Sequence, residues 1–226
     1  MTEQGAVPEF DGAEPSTDGP TDDEAAAREQ ADPRTRDESG RADSETPMDD
    51  ASARTGAEAV VAALEAAGAD TVFGVQGGAI MPVYDALYDA EGVSHVTMAH
   101  EQGAAHAADA YGAVAGEPGV CMATSGPGAT NLVTGIADAD MDSEPVVALT
   151  GQVPSTLVGN DAFQETDTVG VTTPITKSNT FASSADDVGD DVSTAFALAA
   201  TGRPGPTLVD LPKDVTTEET TESPSE

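Results

Sequence analysis

The most chemically pointed stretch of the chain is His100-Glu101-Gln102-Gly103-Ala104-Ala105-His106. It sets one carboxylate between two imidazoles, with only small or amide side chains beside them. A short apolar run, residues 93–98, precedes it, and a small-residue helix predicted over 101–115 follows. Glu101 therefore falls at a strand-to-helix turn, where α/β proteins place ligands. Two roles fit the residue alone: a first-turn acid favoured by the helix dipole, or a carboxyl aimed into a cleft. A zinc role fits poorly. The helical two-histidine pattern needs a spacing of four, whereas these imidazoles are six apart with no third ligand evident, so no metal is assigned to them.

Three further stretches carry weaker signals. Ser125-Gly-Pro-Gly-Ala-Thr-Asn131 is a glycine turn feeding a helix N-terminus, which lets a ligand approach the backbone closely. It is not a Walker A loop, because no Gly-Lys-Ser/Thr follows. Gly159-Asn-Asp-Ala-Phe-Gln-Glu165 lies in a long irregular segment of the kind that often serves function. There Phe163 and Gln164 could give a ligand an apolar contact and an amide, or Phe163 could simply anchor the loop. No Gly-x-Ser-x-Gly occurs, and the lone Cys121 sits in an apolar run as a small core residue.

The elements that must position these residues alternate. Helices are predicted over 55–67, 79–90, 101–115, 129–139 and 186–200. Strands are predicted over 71–75, 93–98, 120–124, 145–150 and 206–211, with 151–168 irregular and 173–181 mixed. Repeated strand-helix units with continuously apolar strands imply a parallel sheet covered by helices on both faces. The turns Gln76-Gly77-Gly78, His100-Glu101, Ser125 to Gly128 and Gly151-Gln152 then share the carboxyl edge of that sheet, which is the expected site.

The 226 residues carry 42 acidic and 8 basic side chains, a formal net charge of −34. Such a surface repels nucleic acid and anionic membranes. Between residues 51 and 213 there are 21 acids and 4 bases, so the acidity belongs to the domain as well as to its flanks. Acidity spread over an otherwise ordinary α/β pattern suggests adaptation to high salt, where counterions screen self-repulsion. Residues 1–50 hold 16 acids and few large apolar side chains. They are expected to be a disordered acidic extension, and 214–226 a similar tail, leaving one domain over 51–213. No apolar run reaches the length of a membrane span and no signal peptide is recognisable, so the protein is expected to be soluble and cytoplasmic.

Taken in order, several segments resemble acetolactate synthase large subunits, which are thiamine-diphosphate enzymes. They are Phe73-Gly-Val-Gln-Gly-Gly-Ala-Ile-Met-Pro-Val-Tyr-Asp-Ala-Leu, His-Glu101-Gln-Gly-Ala-Ala-His, Ala-Thr-Ser-Gly-Pro-Gly-Ala-Thr-Asn-Leu, Leu-Thr-Gly-Gln-Val-Pro, Asp161-Ala-Phe-Gln-Glu-Thr and Ile-Thr-Lys177. The resemblance covers about residues 55–213, the family's N-terminal, pyrimidine-binding domain. One departure is Val75-Gln76, where the family commonly has Tyr-Pro.

The resemblance implies that Glu101 hydrogen-bonds the pyrimidine nitrogen N1′ of thiamine diphosphate. This activates the cofactor for decarboxylation of pyruvate and ligation to a second 2-oxo acid, in branched-chain amino-acid biosynthesis. It also implies that Gln164 reaches cofactor or substrate, that Gly78 and Ala79 form backbone wall near the site, and that Ser143 contacts a flavin. Pro154, Phe163 and Lys177 would mark the mouth of the substrate channel.

Family members continue with a middle FAD domain and a C-terminal domain holding the diphosphate through Mg²⁺. The metal motif of that last domain, Gly-Asp-Gly followed by a distant Asn, has no counterpart here: Gly189-Asp190 is followed by Asp191, and no Asn follows Asn179. The chain is therefore expected to supply half of a site, active only in a homo- or hetero-oligomer with a chain carrying the diphosphate domain. The alternatives are one half of a two-chain 2-oxo acid decarboxylase, and a non-catalytic remnant or regulatory module that pairs with a full-length synthase.

Overall fold

The computed structural model describes residues 54–220. The acidic extension expected over 1–50 lies outside the described residues. The first helix, α1 (Gly56–Ala66), follows a two-residue strand, β1 (Arg54–Thr55). Its start is fixed by a reciprocal cap. The Thr55 hydroxyl accepts from the Glu58 N–H at 3.2 Å, and the Glu58 carboxylate accepts from the Thr55 N–H at 2.7 Å.

Strand-helix units follow: β2 (Thr71–Gly74), α2 (Met81–Asp89), β3 (Ser94–Thr97), α3 (Glu101–Ala115), β4 (Gly119–Ala123), α4 (Pro127–Asp142) and β5 (Val146–Gln152). After an irregular stretch come the short α5 (Thr168–Thr172), β6 (Ser178–Phe181), α6 (Val188–Ala200) and β7 (Thr207–Pro212). The six longer strands form one parallel sheet in the order β3-β2-β4-β5-β7-β6. The expected fold class, a parallel sheet with helices on both faces, is what forms.

Side-chain alternation along the central strands divides the core in two. Val120 and Met122 of β4, Val147 and Leu149 of β5, and Val209 and Leu211 of β7 face a layer containing Val60, Leu64, Val83, Leu87 and Phe196, from α1, α2 and α6. Cys121, Ala123, Val146, Ala148 and Leu208 face the other layer, built from Ala104, Ala105, Ala108, Leu132 and Ile136 of α3 and α4. β4, β5 and β7 are buried along their whole lengths, while β3 at the rim is mostly exposed. Burial pushes the Cys121 thiol up to about 12, which keeps it neutral within the core.

The acidic tail expected from 214 onward is corrected for its first seven residues. They continue as α7 (Lys213–Thr217) and β8 (Glu219–Thr220), and β8 pairs antiparallel with β1. Val215, Thr216 and Thr220 are buried, and the Gly56 N–H donates to the Glu218 carbonyl at 2.9 Å. Average composition hides a segment that buries Val215, Thr216 and Thr220 while Glu218 and Glu219 stay exposed. Residues 221–226 lie outside the described residues. Among the described residues no helix is long and apolar enough to cross a membrane.

A Cβ added at Gly56 would stand 2.2 Å from the Val215 carbonyl oxygen. Gly56→Ala is therefore expected to lower unfolding free energy by about 1–3 kcal/mol in denaturant titration, as overpacking does. An unchanged midpoint would show that the 213–220 segment does not pack on α1.

Candidate functional site

The chain passes from β2 outward to β3, then returns to place β4 on the other side of β2. That reversal lies at the carboxyl ends of β2 and β4, the position where open α/β sheets hold ligands. The turn after β2 closes on the end of β4: the Ala79 N–H donates to the Thr124 hydroxyl at 3.2 Å. Gly151 of β5 packs on the same turn, with a Cβ there only 2.7 Å from the Ala79 carbonyl carbon. On the other flank, the Gln76 amide donates to the Thr97 hydroxyl at 3.3 Å and ties β2 to the end of β3. No heavy atom beyond Gly78 and its chain neighbours lies within 4 Å of a Cβ built on Gly78, so open space adjoins this backbone.

Glu101 is the first residue of α3, as the sequence predicts. His100 caps the helix: its Nδ1 accepts from the Gln102 N–H at 3.1 Å. The His100 side chain is 58% exposed, but that of Glu101 only 14%. The Asn131 amide, from α4, donates to Glu101 Oε2 at 3.0 Å. Glu101 Oε1 turns toward Gly128, where an added Cβ would be 3.5 Å away, and accepts no hydrogen bond among the described residues. Tyr84 lies behind, its phenol pushed above its ordinary range by burial and by the Glu101 charge. His106 does not join this group. Its Nδ1 stands 3.4 Å from Asp138 on α4.

The glycine turn begins α4 two residues earlier than expected, at Pro127. Gly126 takes φ 58° and ψ −116°, a conformation open in practice only to glycine. A Cβ there would stand 2.5 Å from the Gln164 carbonyl oxygen, so the loop carrying Gln164 packs directly on this turn. Gln164 is exposed and itself has φ 58°, uncommon for a residue with a side chain.

Polar contacts hold that loop at both ends. The buried Gln152 amide donates to the Thr166 carbonyl at 2.8 Å and to Asp210 Oδ2 at 3.0 Å. The Glu165 carboxylate accepts from the N–H groups of Gly159 and Ala162, which holds it below the usual carboxylate range. The expectation that Phe163 could anchor the loop is corrected: its ring is 86% exposed, with Leu157 and Val158 also exposed nearby in sequence. The amide and carboxylate contacts do the anchoring.

Gly78, Ala79, Glu101, Gln164 and, just after β5, Pro154 thus share the carboxyl edge. Two expected residues do not. Lys177 precedes β6, at the amino edge, where its ammonium donates to the carbonyls of Leu198 and Thr201 at the end of α6. That contact satisfies orphan carbonyls at a helix terminus. Ser143 ends α4 with φ 65° and accepts from Arg203 Nε at 2.7 Å. It stands a 16-residue helix away from the turn at Gly126, about 24 Å at the usual rise. Asn131 and the Gln152–Asp210 pair were not singled out in the sequence. An amide one helical turn into a helix that follows a glycine turn is the available signal for Asn131.

The cluster offers one shielded carboxyl whose Oε1 accepts no hydrogen bond among the described residues, with glycine backbone beside it. That suits a planar heteroaromatic ring bearing a weakly basic nitrogen, because the carboxyl can share a proton with the nitrogen while small residues admit the ring face.

The profile of the thiamine pyrophosphate enzyme N-terminal TPP binding domain matches residues 54–171. An acetolactate synthase of Mycobacterium bovis is 60% identical over 161 residues, covering 71% of this chain and 26% of that protein. The acetolactate synthase large subunit of Corynebacterium glutamicum is 60% identical over 161 residues, with the same coverage. The isozyme 2 large subunit of Escherichia coli is 57% identical over 160 residues, covering 71% of this chain and 29% of that protein. The chain spans about a quarter of the length of these curated relatives.

Burial pushes the Asp210 carboxyl up to about 6, against the opposing hydrogen bonds from Thr150 and Gln152. The folded protein then holds this proton more tightly than the unfolded chain. Asp210 therefore adds stability below about pH 4 that is lost as pH rises through about 6. Relative to the non-titrating Asp210→Asn, the natural chain should lose about 2–3 kcal/mol of unfolding free energy across that window. Denaturant unfolding at constant salt reads the difference, and parallel pH profiles would rule out this titration.

Proposed function

The chain belongs to the thiamine pyrophosphate enzyme family, and we propose that it is the pyrimidine-binding part of an acetolactate synthase. One observation carries the reading: Glu101 is largely enclosed at the start of α3, yet its Oε1 accepts no hydrogen bond among the described residues and lies beside the Gly128 backbone at the carboxyl edge. The pyrimidine ring of thiamine diphosphate fits that description, with N1′ as the nitrogen that meets Oε1. Thiamine diphosphate, held there, would supply an electron sink for decarboxylation of a 2-oxo acid.

In this reading Glu101 holds or shares a proton at N1′ and fixes the ring orientation. The backbone at Gly78 and Ala79 walls one side of the ring. Gln164, seated on the Gly126 turn, brings an amide toward cofactor or substrate. Pro154 and Phe163 border the approach, and the exposed Phe163 ring is available to a partner domain or substrate.

Pyruvate as donor, a second 2-oxo acid as acceptor, and a place in branched-chain amino-acid biosynthesis complete the proposal. The diphosphate with its Mg²⁺, and FAD, would be held outside the described residues or by a partner chain. Ser143 could serve a flavin only from the opposite edge of the sheet. Lys177 is left out of the channel.

The test is purification from high salt with any associated chain, then an acetolactate assay with pyruvate, thiamine diphosphate, Mg²⁺ and FAD. Turnover is expected, and Glu101→Gln should lower its rate by about 100-fold or more, as loss of a proton-transfer group does. Full activity of that variant, or a complex without turnover, would refute the reading.

A further inference from the structure

We infer that Asn131 is a positioning residue that takes up Glu101 Oε2 and so leaves Oε1 as the oxygen that meets the ligand's ring nitrogen. The inference rests on the proposed pyrimidine site and adds to it which oxygen is used and what selects it.

The terminal torsion of a glutamate is broad and nearly two-fold, so an unrestrained carboxyl offers either oxygen. Here the Asn131 amide stands 3.0 Å from Oε2. Facing a carboxylate, the Asn side chain must present its NH2 group, because its carbonyl would be repelled. A hydrogen bond to an ionised acceptor is among the stronger kind, and this one is partly buried. With Oε2 accepting from the amide, a proton shared between Glu101 and a ring nitrogen sits at Oε1.

No other described side chain competes for the role. His100 Nδ1 lies 4.0 Å from Oε2, but it is exposed and already accepts from the Gln102 N–H as the helix cap. Asn131 carries no titrating proton, so its donation persists across pH. Its place is set by the fold: the left-handed Gly126 turns the chain into α4, and Asn131 follows one helical turn after Pro127, facing α3. The same turn puts Gly128 beside Oε1, where a Cβ would lie 3.5 Å from that oxygen and 2.7 Å from the Thr124 methyl. One oxygen is tethered and the other kept approachable by residues three positions apart.

The test measures binding of thiamine and of its analogue with CH in place of N1′, by calorimetry on the full chain in high salt. The natural chain should prefer thiamine by about tenfold or more, the worth of a hydrogen bond to a charged group. Asn131→Ala should reduce that preference severalfold while binding the analogue as the natural chain does. Asn131→Leu, of similar size but without the donor, should behave alike. A residue that only supported the fold would weaken both ligands equally.

If the natural chain shows the preference and Asn131→Ala retains it, the inference is overturned while the pyrimidine reading stands. If the natural chain shows no preference, the reading itself fails and the inference with it. Should Asn131→Ala not fold, Asn131→Ser carries the same comparison, with circular dichroism confirming the native helix content.

Discussion

A left-handed glycine, Gly126, is the constraint on which the rest of the site depends. Its φ of 58° and ψ of −116° let β4 turn into α4 within a few residues. A side chain there would collide with the Gln164 backbone, so the turn and the loop can meet only because the position is glycine. From this one conformation follow three placements: Gly128 beside one oxygen of Glu101, Asn131 against the other, and Gln164 seated at the same edge. The sheet contributes the location, since its order reverses between β2 and β4. The turn contributes the contents.

The sequence made the framework legible because its signals were local and repeated. Buried parallel strands read as continuous apolar runs, and the five long helices, α1 to α4 and α6, are expected near their observed spans, whereas the short α5 and α7 are not. Glu101 was identifiable for a similar reason, as a carboxyl at a strand-helix junction among residues too small to cover it. The imidazoles take separate places: His100 caps α3 on a backbone N–H, and His106, within that helix, stands beside Asp138.

The misreadings came from what spacing cannot carry. The resemblance groups Lys177 with Pro154 and Phe163, but a residue preceding a parallel strand lies at the amino edge and one following a strand at the carboxyl edge. Its ammonium went to the end of α6 instead. Of the two roles the sequence leaves to Phe163, ligand contact or loop anchor, the second is excluded by its exposure, and the loop is fixed by Gln152 and Glu165 through backbone groups that no side-chain pattern announces. The 214–220 segment is lost in an acidic average although Val215, Thr216 and Thr220 are buried. Asp210 illustrates the same limit: in sequence it is one acid among 42, and only the sheet register brings it to Thr150 and Gln152.

The account's central claim is that Glu101 meets the pyrimidine nitrogen of thiamine at this carboxyl edge. Nitrogen NMR of thiamine isotopically labelled at N1′, added to the full chain in high salt, tests it most directly. The N1′ resonance is predicted to shift on binding to the natural chain and to stay near its free position in the complex with Glu101→Ala. A bound ligand whose N1′ resonance does not move, or moves equally in both proteins, would contradict the account.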